Sequence, residues 1–240
     1  MLYPPALFSI LLAAAAVAEP DTQCPRYIGA AGVRARLPPA FEAAQLQSSW
    51  NPPPVGWYFK HWNMIYASNQ QYAAFRNLQY DPTAIDPEHP EGLVNDLFSF
   101  QLPGNDTIYT TYGIDTPNPD HDAVLDYNAT GIIAGATSEY SLLAWGCDSN
   151  KIPYYASYST ATEMTNTPAG IDIMSTVDEG PDSATIDALL QALKDLPNAE
   201  IHGLAVNLTK MAQDGGRDGL PSVTCDDYCK TNQNLIEILG

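Results

Sequence analysis

The feature that most limits what this chain can fold into is a long series of short β-prone segments ended by one helical stripe. The clearest pair is a hairpin. Residues 96–102 alternate Phe98, Phe100 and Leu102 with Leu97, Ser99 and Gln101. Pro103-Gly104-Asn105-Asp106 turns the chain, and residues 107–114 return with Ile108, Thr110, Tyr112 and Ile114 on one side. Further strand-like runs cover 57–66, 72–80, 124–127, 152–160 and 171–177, with a second hairpin of 131–137 against 139–147 about Thr137-Ser138-Glu139. Residues 81–92 carry turn chemistry and read as a loop.

The period then switches. Ile186, Leu189, Leu190, Leu193 and Leu196 form one helical stripe, with Pro181-Asp182-Ser183 as its N-cap region and Pro197 as its stop. The tail, 232–239, reads as a last helical turn or two. Before the strands, residues 19–55 are irregular and proline-punctuated, with a short helix expected over 40–47. Short antiparallel strands followed by a helix imply a barrel or a sandwich. An immunoglobulin-type sandwich would place its first cysteine inside the strands; here Cys24 precedes them all. The expected fold is therefore all-β, with an antiparallel barrel favoured and a C-terminal α-helix after the strands.

The N-terminus predicts export. Residues 7–17 are apolar and uncharged, and Ala16-Val17-Ala18 supplies the small residues of a cleavage site. The run is too short for a membrane span, and no integral span is expected elsewhere. The chain divides into a signal peptide, 1–18, an N-terminal arm, 19–55, a barrel and helix, 56–200, and a C-terminal extension, 201–240. The route is secretory and the destination extracellular. Three sequons fit that route, at Asn105, Asn128 and Asn207, with Asn105 favoured because its turn must face water. The net charge of -18, from 28 acidic against 10 basic residues, argues against nucleic acid and anionic membrane surfaces as partners. Such a surplus of carboxylates serves solubility and also suits an acidic medium.

The four cysteines, Cys24, Cys147, Cys225 and Cys229, read as two disulfides in an exported chain. Three connectivities are open. A local Cys225–Cys229 bridge with Cys24–Cys147 is preferred; Cys24 with Cys225 is the long-range alternative.

Gly56-Trp57-Tyr58 at the first strand, Ile132-Ile-Ala-Gly-Ala-Thr137 with Tyr140-Ser-Leu-Leu-Ala-Trp-Gly-Cys147 late in the series, Cys24-Pro25 upstream and Thr185-Ile186-Asp187-Ala-Leu189 at the helix together carry a family likeness. The chain resembles the lipocalins, and within them the apolipoprotein D-like group, and the resemblance implies an eight-stranded antiparallel up-and-down barrel with a C-terminal α-helix. That group pairs its Cys-Pro cysteine with the late-hairpin cysteine. Its second-strand cysteine, and the arginine that closes its barrel, have no counterpart here; Thr160 or Thr176 stands near the latter point. The resemblance implies that Trp57 belongs to the barrel floor and that the interior takes one small hydrophobic molecule, such as a fatty acid, sterol, retinoid or pigment. Candidate ligand contacts are Phe59, Tyr80, Phe98, Phe100, Tyr112 and Tyr158, because large rings at inward positions supply apolar contact area. Phe98, Phe100 and Leu102 are expected to face inward opposite Ile108, Thr110 and Tyr112.

No catalytic constellation is legible. There is no nucleophile elbow, phosphate loop or zinc-protease helix motif. The histidines, His61, His89, His121 and His202, are scattered, and Asp120-His121-Asp122 reads as a solvated turn rather than a metal site. No metal and no cofactor are implied. The sequence therefore points to a secreted carrier. One alternative is an enzyme similar to the lipocalin domain of violaxanthin de-epoxidase, although residues 72–80 lack that family's second-strand aspartate. Another is a secreted structural protein with a filled barrel. A buried carboxylate facing the cavity would favour the enzyme.

Overall fold

The computed structural model describes residue 24 and residues 27–41 and 50–239. The expected signal peptide and most of the helix expected over 40–47 lie outside the described residues. Eight strands run in chain order around one barrel: β1 Trp62–Ala67, β2 Arg76–Tyr80, β3 Val94–Gln101, β4 Ile108–Pro117, β5 Val124–Ala129, β6 Thr137–Cys147, β7 Pro153–Ser159 and β8 Gly170–Ser175. Each pairs antiparallel with the next, and β8 returns to β1 with Met64 opposite Met174. This closure leaves no free edge in the ring. The up-and-down order, with helices following the strands, is the lipocalin architecture expected from the sequence.

Several boundaries move. Gly56-Trp57-Tyr58 does not open the first strand. Gly56 has φ +81°, and successive turns carry Trp57 N to Pro54 O (3.0 Å) and Phe59 N to Gly56 O (3.2 Å), so β1 starts at Trp62. Trp57 is nonetheless 1% exposed in the barrel floor. Residues 131–137 are not a strand. A 3-10 turn, Gly131–Ile133, stands there, and β6 pairs instead with β5. The cause is local: Gly131 and Gly135 both take positive φ, which breaks extended backbone. The last strand of the ring is Gly170–Ser175, which begins one residue before the apolar run expected over 171–177 and ends two residues short of it.

Two apolar layers hold the ring. Inside, Trp57, Trp62, Trp145 and Tyr155 fill the closed end, with ring centroids 4.9 Å apart for Trp57–Trp145 and 4.7 Å for Trp62–Tyr155. Lys60 lies over the Trp57 ring at 4.7 Å, a cation–π contact at the floor where the sequence offers no closing arginine. Outside, helix α1, Ser183–Lys194, lays Ile186, Leu189 and Leu193 against Ile65, Tyr154, Ile171 and Ile173. Asp182 caps it, accepting from Thr185 N at 2.8 Å. Helix α2, Ala199–Val206, adds Ile201 and Ala205 to the same layer and spans the boundary expected at 200 between barrel and extension.

Both expected disulfides are present. Cys24–Cys147 ties the arm to β6 with Cα atoms 5.6 Å apart, and Cys225–Cys229 is local with 5.2 Å. The second bridge anchors helix α3, Asp227–Lys230, against Leu97 and Tyr112 on the outer face of β3 and β4. From there the chain crosses the open end of the barrel. Asn232, wholly buried in a left-handed conformation, accepts from Tyr112 N (2.8 Å) and donates to Tyr112 O and Thr130 O (both 2.9 Å). Helix α4, Ile236–Leu239, follows as the final turn. No helix among the described residues is long and apolar enough to cross a membrane.

Candidate functional site: an aromatic cavity with interior carboxylates

Strand register decides which side chains see the interior. The β3–β4 turn pairs Gln101 with Ile108, so Phe98 faces Thr111 and Phe100 faces Tyr109. The inward residues of β4 are thus Tyr109, Thr111 and Asp115, and the expected partners Ile108, Thr110 and Tyr112 point outward. A one-residue difference in register exchanges the two faces of a strand completely.

A cavity of about 270 Å³ opens above the tryptophan floor. Its walls include Tyr72, Phe75, Phe98, Phe100, Tyr127 and Tyr140, and Leu235 and Ile238 of the C-terminal segment border it at the mouth. The rings are packed against one another: Phe75 on Phe100 at 4.1 Å, and Phe98 on Tyr80 at 4.3 Å, both stacked. The volume is at the small end for ligand sites, which begin at roughly 300 Å³.

The expected ligand contacts separate into three groups. Phe98 and Phe100 line the cavity, and Tyr80 lies beneath Phe98 in the interior. Phe59 sits at the closed end among Pro53, Pro54 and Tyr58, away from the cavity. Tyr112 and Tyr158 are on the outer face. Tyr112 donates to Asn95 Oδ1 at 2.6 Å beneath the Cys225–Cys229 bridge, and Tyr158 donates to Glu200 of α2 at 2.8 Å and packs on Phe41. Both belong to the layer that clothes the barrel. The three sequon asparagines are at the surface or partly exposed. Asn105 accepts from Thr107 N at 2.9 Å, and Asn128 and Asn207 are exposed.

The interior also holds residues that the sequence reading missed. Asp96 of β3, Asp115 of β4 and Asp172 of β8 all point inward and are 6%, 1% and 4% exposed. Asp96 and Asp172 line the cavity. Tyr80 lies beside the first two: its hydroxyl accepts from Tyr58 (2.5 Å) and donates to Asp115 Oδ2 (3.4 Å), and it favours the ionised form of Asp96. Tyr140 donates to Tyr155 at 3.0 Å on the opposite wall.

Burial controls the charge of these carboxyls. Desolvation pushes Asp172 up to about 7. Asp96 is likewise raised to about 7 by desolvation, although hydrogen bonds from Tyr80 and Asp115 favour its ionised form. Asp115 is held well above the usual carboxylate range, first by desolvation and then by the Asp96 carboxyl beside it. The repulsion between the two carboxyls favours a single negative charge on the pair, with Asp115 the more strongly raised. Desolvation also raises Tyr58, Tyr80 and Tyr155, so these hydroxyls remain neutral donors. Asp172 has no such partners. Its Oδ1 is buried with no hydrogen bond from any described residue. No group of three His, Cys, Asp or Glu side chains among the described residues could hold a metal ion.

One signal for this site was present in the sequence. Asp96 shares parity with Phe98 and Phe100, so any strand that turns those rings inward turns Asp96 inward too. Asp172 gave no such signal, because it alternates with Ile171 and Ile173, which are the expected inward residues of an isolated strand.

No family model matches the chain. Among solved structures it is similar to apocrustacyanin C1 (13% identity, 65% of this chain and 77% of that one, TM-score 0.45) and lobster apocrustacyanin A1 (12%, 65% and 77%, 0.45). It is also similar to the siderocalin Ex-FABP (8%, 64% and 92%, 0.44). A curated relative is much nearer in sequence: botcinic acid biosynthesis cluster B protein 12 of Botryotinia fuckeliana (strain B05.10), 31% identical over 209 residues, which are 84% of this chain and 93% of the relative. Identity at that level over nearly the whole of both chains makes this protein a member of the family of botcinic acid biosynthesis cluster B protein 12.

Proposed function

We propose that the barrel binds one small, largely apolar molecule that also carries oxygen functions. The observation that carries this reading is the two-sided cavity, with stacked Phe75, Phe98 and Phe100 on one wall and the Asp96 and Asp172 carboxyls facing the same space. A purely hydrocarbon ligand would set apolar surface against the Asp96 and Asp172 carboxyls at the cavity wall, so a hydroxyl or carbonyl oxygen is the better complement. The relative's name places that protein in the biosynthesis of botcinic acid. The ligand of this chain is accordingly taken to be a small oxygenated product or intermediate of biosynthesis rather than a bulk fatty acid. Phe98 and Phe100 contact the ligand, and Tyr80 supports Phe98 from beneath.

Burial of about 300 Å² of apolar surface at about 25 cal/mol per Å² gives up to roughly 7 kcal/mol gross before the cost of association, which corresponds to micromolar binding at best without polar contacts. Export is part of the proposal. The apolar residues 7–17, the sequons and the two disulfides support a secretory route, with Asn128 and Asn207 as exposed acceptors. The test is native mass spectrometry of protein purified from its source, before and after organic extraction, followed by fluorescence titration with a panel of aryl ketones, sterols and fatty acids. Saturable binding of oxygenated aromatic members, weakened by Phe100→Ala, is the expected result. No binding by any member would overturn the reading in favour of a structural barrel.

A further inference from the structure

We propose that the cavity is an acid–base active site that enolises a carbonyl compound, with Asp172 protonating the carbonyl oxygen and Asp96 removing a proton from the adjacent carbon. The proposal rests on the ligand reading above and adds chemistry to it. Its basis is the placement of the two carboxyls. Asp172 and Asp96 project from β8 and β3, which stand three strands apart around the ring of eight, yet both reach the same enclosed space. A molecule seated there has a carboxyl on each of two sides, while Phe75, Phe98 and Phe100 keep bulk water from its apolar part.

The two carboxyls are not equivalent. Asp96 stands beside Tyr80 and Asp115, which favour its carboxylate form against the desolvation that raises it. Asp172 is raised by desolvation alone, and its Oδ1 takes no hydrogen bond from any described residue, so its proton is the one assigned to the carbonyl oxygen. One neutral carboxyl and one carboxylate about one cavity is the division of labour that acid–base catalysis needs. The Asp172 carboxyl lines the cavity, where a ligand oxygen can meet it.

The step balances without a cofactor. The Asp96 carboxylate takes the α-proton, the C–H pair becomes the C=C bond, and the carbonyl π pair takes the Asp172 proton. The product is the enol, with Asp96 protonated and Asp172 ionised. Return of the Asp96 proton to a conjugated carbon gives the isomer, and its return to the same carbon after exchange with solvent gives the labelled starting compound; in both cases Asp172 takes back the enol proton and both groups are restored. The reaction class is isomerisation of a carbonyl compound.

The experiment uses the full chain and benzylacetone as probe, with fluorescence titration for binding and proton NMR in D₂O for deuterium entry at the carbons flanking the carbonyl. The expected result is exchange on the order of 10²-fold above buffer at saturating probe. Asp172→Asn and Asp96→Asn should each remove about tenfold or more of that acceleration, and the wild-type rate should pass through a maximum near neutral pH. Two variants on different strands guard against misfolding of either. Saturable binding without exchange above buffer overturns the catalytic proposal and leaves the ligand reading standing. Exchange at the wild-type rate in both variants overturns the residue assignment. Failure of benzylacetone and of every other ketone in the panel to bind removes the ligand reading and the proposal with it.

Discussion

Replacing Asp172 by Asn should make the protein more stable at alkaline pH and leave it nearly unchanged in acid. The carboxyl is 4% exposed, and burial raises it from 3.8 to about 7. Between those values the unfolded chain has released its proton while the folded chain still holds it. Stability therefore falls as pH rises from about 4 to about 7, and the loss is complete above the folded value. Just over three units at 1.36 kcal/mol each set the cost at up to about 4 kcal/mol, an upper bound because the group borders a cavity that can admit water. Asn has the same shape and no charge, so it removes this term. Asp96 and Asp115 are raised in the same direction, but their contribution is common to both proteins and cancels in the difference. The assay is urea unfolding of wild type and variant at pH 4 and at pH 8, with disulfides intact and m-values compared. The variant should gain between about 1 and 4 kcal/mol relative to wild type on going from the acid to the alkaline condition. Parallel stability–pH curves would refute the claim that Asp172 is buried as a neutral acid.

Three further outcomes are expected. Removing the Cys24–Cys147 bridge, which spans 123 residues, should cost about 5 kcal/mol by the loop-entropy relation, read as a lower urea midpoint for Cys24→Ser with Cys147→Ser. Asn232→Ala should release the C-terminal segment from the barrel mouth, because it deletes one bond accepted from Tyr112 N and those donated to Tyr112 O and Thr130 O; hydrogen exchange across 227–239 should speed up while that of β7 and β8 stays slow. Asp182→Ala should lose on the order of 1 kcal/mol through the α1 N-cap, and the loss should vanish at acid pH, because hydrogen bonds from Ser149 and Thr185 hold that carboxyl down at about 2 and its contribution fades only as pH falls through that value. An equal loss for that variant at pH 6 and below pH 2 would show that the cap acts without its charge.

Local sequence was enough to announce a barrel, because each strand needs only a short β-prone run and a turn to declare itself. Phe98 and Phe100, the Pro103–Asp106 turn, the Asp182 cap and the α1 stripe were all legible in this way. So was the pairing of Cys24 with Cys147 as the preferred choice, once Cys225 and Cys229 were seen to be near neighbours. Register was not legible. Whether Tyr109 or Tyr112 faces inward depends on how the β3–β4 turn seats Gln101 opposite Ile108, a one-residue matter that composition does not encode. Nor could inward and outward be told apart on β7 and β8. There α1 and α2 cover the outer face, both faces are apolar, and the alternation that marks a half-exposed strand disappears: all six residues of β8 are buried. Asp172 was hidden for that reason, flanked by isoleucines that serve the helix layer rather than the cavity. The sequence by itself determined a series of short antiparallel strands followed by a helix, with four cysteines for two disulfides. Only the tertiary structure, by closing β8 onto β1 and turning three aspartates inward together, decided that the ring encloses acid groups as well as aromatic ones.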